Sequence, residues 1–192
     1  MAASIMQDCI YICLCQTGTR VAKAIKFFTK KPYNHASVTG DPTFSVMYSF
    51  CRSYKHSPLP ATFNHEVIGS GVLGMYDEIP CEIYEIRLTA EQKKRFEEMI
   101  RHFQENRSSY SYNLIGMWTV LLQIGLERKR KFVCSQFVAH VLHESGVELA
   151  KSESLYRPED LRHLPSAKLV YRGDLNCYQA HRNAASYHLQ GA

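Results

Sequence analysis

The stretch Lys131-Phe132-Val133-Cys134-Ser135-Gln136-Phe137-Val138-Ala139-His140-Val141-Leu142 decides how the chain folds on paper. Apolar residues recur at Phe137, Val138, Val141 and Leu142, the spacing of a helix that turns one stripe toward a core. Gly146 follows and suits a helix stop, because glycine takes the left-handed cap conformation without steric penalty. The helix then opens at Cys134. A thiol there meets unpaired backbone N–H groups and the positive end of the macrodipole, and both favour thiolate over thiol. The run Arg128-Lys129-Arg130-Lys131 pushes the same way. Cys134 is therefore the candidate nucleophile. The competing reading makes it a small buried hydrophobe, a common fate of free cysteine; this stretch alone does not separate the two.

Upstream, Asn113 to Ile124 is apolar almost all round and reads as a deeply buried helix. Thr89-Ala90-Glu91-Gln92 fits a capping box for a helix running to about Asn106, with Phe96, Met99, Ile100 and Phe103 on its apolar face. Residues 81–88 alternate as a strand. Residues 52–75 contain Pro58, Pro60, Gly69, Gly71 and Gly74, lack periodicity and read as a long loop or flap. Before them, Phe44 to Phe50 reads as a strand returning from Tyr33-Asn34-His35-Ala36-Ser37-Val38-Thr39 across the turn Gly40-Asp41-Pro42. Alternation puts His35, Ser37 and Thr39 on one face, and Ser45, Met47 and Ser49 on one face of the partner. Cys9 to Cys15 is a buried strand. Val21, Ala22, Ile25 and Phe28 mark a short helix that Pro32 ends.

Downstream, Pro158 takes a helix N1 position with Glu159 and Asp160 behind it. Residues 167–172 form a last strand, and the tail is polar. The expected class is α+β: a small antiparallel sheet packed against helices, with the nucleophile at a helix N-terminus. Residues 1–180 form one domain and 181–192 a flexible tail.

The 192 residues suffice for a sizeable core, and 45% hydrophobic with 21% charged residues is an ordinary globular balance. The formal charge of +5 is mild, and no basic stripe interleaved with aromatics appears, so no nucleic-acid partner is expected. The N-terminus lacks a basic n-region and cleavage site, and no apolar run approaches the ~18 residues of a membrane span. The expectation is a cytoplasmic chain, with export by a non-classical route left open. Seven cysteines without paired CxxC motifs read as a reduced set. Cys13 and Cys15 share one strand face and read as core thiols.

A thiol nucleophile needs a base within hydrogen-bond reach and a third polar group to orient that base. Of nine histidines, His140 and His143 lie too far along the cysteine helix to meet its sulfur. As an i,i+3 pair they suggest a metal site, but no third ligand stands at fixed spacing, so no metal or other cofactor is expected. His102 falls on a surface helix face, His181 and His188 in the tail, His56 and His65 in the flap. His35 opens a rigid strand, which suits a catalytic base; its alternative is a half-buried structural histidine.

The order of strand, short helix, Tyr33-Asn34-His35-Ala36-Ser37-Val38, hairpin, strand, helix and then Phe132-Val133-Cys134-Ser135-Gln136-Phe137-Val138 resembles the circularly permuted, YiiX-like branch of the NlpC superfamily of papain-like cysteine hydrolases. In that branch the histidine strand precedes the cysteine helix. The likeness covers roughly residues 9–175. It implies a permuted papain-like fold, His35 as base and Cys134 as nucleophile. It places the third polar residue on the strand after the histidine strand, where Ser45 and Ser49 stand and register favours Ser49. Relatives often carry a carboxylate, amide or imidazole there, so serine departs from the pattern, and Glu66 in the flap is the alternative orienter.

The resemblance further implies cleavage of an amide, peptide or isopeptide bond in a peptide or acyl-amide substrate through an acyl-enzyme, without a cofactor. Two other readings stay open. One is a thiol acyltransferase or lipase that meets a membrane surface through the flap's Phe63 and the basic loop. The other is an inactive binding module on the same fold, favoured by a serine in the third position. The oligomeric state is not legible.

Overall fold

Strand β1, Cys9–Cys15, is the middle of the molecule, and its sequence says why: six of its seven residues are buried because both of its faces are covered. The computed structural model describes residues 8–18, 31–54, 61–113 and 130–178. After β1 come β2 (His35–Thr39), β3 (Met47–Arg52), β4 (Ala61–Glu66), β5 (Pro80–Arg87), helix α1 (Ala90–Glu105), β6 (Ser111–Tyr112), β7 (Lys131–Phe132), helix α2 (Cys134–Glu144), the single turn α3 (Pro158–Leu161) and β8 (Ala167–Asp174). The architecture is α+β. Six strands form one sheet in the order β4-β3-β2-β1-β5-β8, and every neighbouring pair is antiparallel. No helix among the described residues is long and apolar enough to cross a membrane.

Period-two alternation divides the core. Ile10, Ile12 and Leu14 of β1 join Val38, Phe50, Phe63 and Ile86 in the layer covered by α1 and α2. Tyr11, Cys13 and Cys15 join Met47, Cys81, Ile83, Leu175 and Tyr178 on the other side. Cys13 and Cys15 are thus free core thiols.

Helix α1 starts as its sequence dictates. The Gln92 backbone N–H donates to Thr89 Oγ1 at 3.2 Å, and the Thr89 N–H donates to Gln92 Oε1 at 3.0 Å. Its Phe103 is 1% exposed and packs against Tyr110, Phe137 and Phe63 at centroid distances of 4.6, 5.1 and 5.5 Å. This aromatic cluster seats α1, α2 and the sheet on one another. Phe103→Ala removes its centre and is expected to cost about 3–5 kcal/mol of stability in urea unfolding. A loss below ~1 kcal/mol would mean the cluster collapses freely around the gap.

Several sequence expectations need correction. Residues 52–75 are not one flap: β4 pairs along the whole of β3, from Met47↔Glu66 to Arg52↔Ala61. Backbone pairing overrides the polar composition of Asn64-His65-Glu66, which had hidden the alternation. Phe63 accordingly points into the core, 2% exposed, and is no membrane contact. Phe44 does not belong to β3. It sits in the preceding turn at φ 56°, in the left-handed region that a bulky residue avoids.

Asp41 holds that turn by accepting from the Thr43 and Ser45 backbone N–H groups at 2.8 and 3.0 Å. The expected helix over 21–28, residues 114–124 of the expected helix from Asn113, Arg128 and Lys129 of the basic run, His56, His181, His188 and the tail lie outside the described residues.

Candidate active site

Helix α2 brings its first residue to the sheet because its buried stripe, Phe137, Val138, Val141 and Leu142, packs on β2 and β3. Two side chains next to Cys134 fix this end. Gln136 Oε1 accepts from the Val133 N–H at 3.1 Å, while Gln136 Nε2 donates to the Ser154 carbonyl at 2.8 Å. Ser135 Oγ donates to the Tyr156 carbonyl at 2.6 Å. Both residues are buried, so the bonds form out of competition with water. Gly146, at φ 83°, ends the helix as its position in the sequence requires.

His35 is fixed from the opposite direction. Asn34 precedes it and accepts at Oδ1 from the Thr17 N–H and from Thr17 Oγ1, both at 3.1 Å. The Asn34 N–H donates to the Cys15 carbonyl at 3.2 Å. The chain therefore enters β2 already tied to the end of β1, where His35 lies opposite Cys15.

The His35 ring, 9% exposed, stands between two groups. Its Nε2 lies 3.0 and 2.9 Å from the two oxygens of Glu66. The Cys134 thiol is near enough to the same ring to help raise its pKa. Ser37 Oγ donates to Glu66 Oε2 at 2.5 Å, and the nearby Cys51 thiol also favours the ionised carboxylate.

The charges follow from these contacts. Burial opposes a positive ring, but the Glu66 charge and hydrogen bonds with Cys134 and Glu66 outweigh it, holding His35 well above its ordinary 6.5. Burial likewise opposes ionisation of Glu66, yet the His35 charge and hydrogen bonds from His35, Ser37 and Cys51 bring it below its ordinary 4.5. Each charge favours the other, so Glu66 stabilises the imidazolium that forms when the ring takes a proton. Desolvation pushes the neighbouring Cys51 and Tyr112 up, so both stay neutral.

Of the four residues named from sequence, the structure thus brings together Cys134, His35 and Glu66. Ser49 is displaced from the role expected of it. Its hydroxyl donates to the Ala36 carbonyl at 2.7 Å and is fully buried between β2 and β3. The reason is register: Ser49 pairs with Asn64, whereas Glu66 ends β4 beside Met47 and carries a side chain long enough to reach the ring. Ser45 bonds Asp41 in the turn instead. His65 is exposed. His102 is exposed too, and contacts Tyr110 OH at 3.1 Å.

Ser37 and Cys51 were not singled out for the site. The period-two alternation that places Ser37 on the His35 face was the available signal for the first. For Cys51 the signal was its position two residues beyond Ser49. A cleft of about 220 Å³, lined by Cys51, Arg52, Asn64, His65, Glu66 and Leu73 among others, opens beside the carboxylate.

A nucleophilic sulfur, an imidazole and an orienting carboxylate in this order can carry out acyl transfer through a covalent intermediate. No protein-family model matches the chain, and no curated protein matches it.

Proposed function

We propose that the protein is a cysteine-dependent hydrolase that cleaves an amide, peptide or isopeptide bond. The observation that carries this reading is the buried His35, held at Nε2 by Glu66 and near enough to Cys134 for the sulfur to raise its pKa. His35 takes the thiol proton, and the sulfur attacks the carbonyl carbon. The tetrahedral oxyanion forms at the start of α2, where the Cys134 backbone N–H belongs to the unsatisfied first turn of a helix. His35 returns the proton to the leaving amine, leaving a thioester. A water molecule, deprotonated by His35, then releases the acid and regenerates the thiol.

The antiparallel sheet with its cysteine helix is compatible with the permuted papain-like fold that the sequence resembles, and that assignment belongs to the same proposal. Glu66 on the ring weakens the inactive-module reading, which leaned on serine as the orienter. Burial of Phe63 removes one support of the membrane-acting acyltransferase.

The test is labelling by a small thiol-directed acyl probe, read by intact mass. One acyl group is expected on the wild type and none on Cys134→Ala, with both chains giving the same far-ultraviolet circular dichroism. Labelling that persists in Cys134→Ala rejects the proposal. So does a wild type no more reactive than a free thiol.

A further inference from the structure

At the far end of α2 the fold supplies what the sequence lacked for His140 and His143. The turn Glu153–Leu155 lies against this end of the helix. Glu153 Oε2 is 2.7 Å from His140 Nδ1, and Glu153 Oε1 is 2.5 Å from His143 Nδ1. Glu144, one helical turn after His140, completes a group in which His140, Glu144 and Glu153 each offer a ligand atom within 4.8 Å of the others. These groups border a cavity of about 650 Å³ that Cys134 does not line, so small solutes reach them without passing the candidate active site.

We propose that His140, Glu144 and Glu153 form a binding site for a divalent transition cation of the zinc class. The donor set is right for such an ion: one imidazole and two carboxylates give borderline nitrogen and hard oxygen ligands, and the two negative charges balance the cation. An ion at ~2.0–2.1 Å from a nitrogen and an oxygen in tetrahedral array holds those atoms about 3.3 Å apart. The present 2.7 Å contact between His140 and Glu153 therefore needs only a small opening. His143, bonded to the second oxygen of Glu153, orients that carboxylate from outside, as residues behind metal ligands commonly do.

The site is a clamp. The residues after Glu153 provide the Ser154 and Tyr156 carbonyls that receive Gln136 and Ser135. A cation on Glu153 thus ties down the segment that holds the start of α2. The site stands whether or not Cys134 is a nucleophile, because none of its ligands takes part in the proposed reaction.

The experiment is titration of the reduced, chelator-treated full chain with zinc chloride by calorimetry, repeated with cobalt(II) for its absorption spectrum. One ion per chain is expected, with enhanced visible bands and no sulfur-to-cobalt charge-transfer band. Glu153→Gln and His140→Ala are expected to weaken binding at least about tenfold, while thermal melts confirm that both variants fold. If one variant unfolds, Glu144→Gln is the replacement. Failure of zinc to bind the wild type overturns the site. So does binding that both folded variants retain, or a charge-transfer band that assigns the ion to the cysteines.

Discussion

His35→Ala is expected to lower the rate of Cys134 acylation by about 10⁴–10⁶, the range seen when a member of a nucleophile–base unit is removed. The size follows from the geometry. The sulfur acts on the pKa of His35, and that ring is already oriented by a buried carboxylate. Alanine leaves the thiol proton without an acceptor and strands Glu66, which loses its positive partner inside the protein. The second effect costs stability, about 3–5 kcal/mol for a buried charge left alone. Kinetics should therefore be compared well below the variant's unfolding temperature. A rate within ~10-fold of the wild type would remove His35 from the mechanism, because proton transfer to a positioned base is worth more than that.

Glu66→Gln is expected to slow acylation by about 10²–10⁴, approaching the loss seen when the carboxylate of a serine–histidine–aspartate triad becomes an amide. Shape is preserved, so the effect isolates charge and hydrogen-bond direction. An amide accepts at one atom only, while the two oxygens of Glu66 take His35 and Ser37. One of these donors must face an NH₂ group in the variant.

The same substitution carries a pH signature. With the carboxylate's charge gone, burial pushes the His35 pKa down. Any fall in rate that tracks loss of the imidazolium then moves to lower pH. An unmoved profile would reduce Glu66 to a packing role.

The pair also shapes stability. Glu66, lowered from 4.5, stabilises the fold above that value and ceases to do so as pH falls through its depressed folded pKa. His35, raised from 6.5, stabilises it fully below that value and ceases as pH rises through its elevated folded pKa. The stability gap between wild type and Glu66→Gln should thus be whole between 4.5 and 6.5 and close in more acidic or strongly alkaline solution. A gap that grows on acidification would contradict the ion pair.

The signals that the sequence alone supplied were local ones. The β1 boundaries, the Thr89 capping box, the Pro158 helix start, the Gly146 stop and the cysteine at the head of α2 all depend on residues within a turn or two of one another. Backbone sterics and short-range hydrogen bonds act at that distance, so composition reveals them. Alternation along β2 also placed His35 and Ser37 on one face.

Only the tertiary structure decided which side chain meets the far nitrogen of His35. Alternation says which face a residue occupies, but not which strand lies next in the sheet or at what register. Ser49 was therefore expected first and Glu66 only as the alternative, and the pairing of β3 with β4 reversed that order. That pairing also turned Phe63 inward. In the same way, a turn folded back on α2 set Glu153 between His140 and His143, a meeting that follows from chain reversal and packing rather than from any spacing along the sequence.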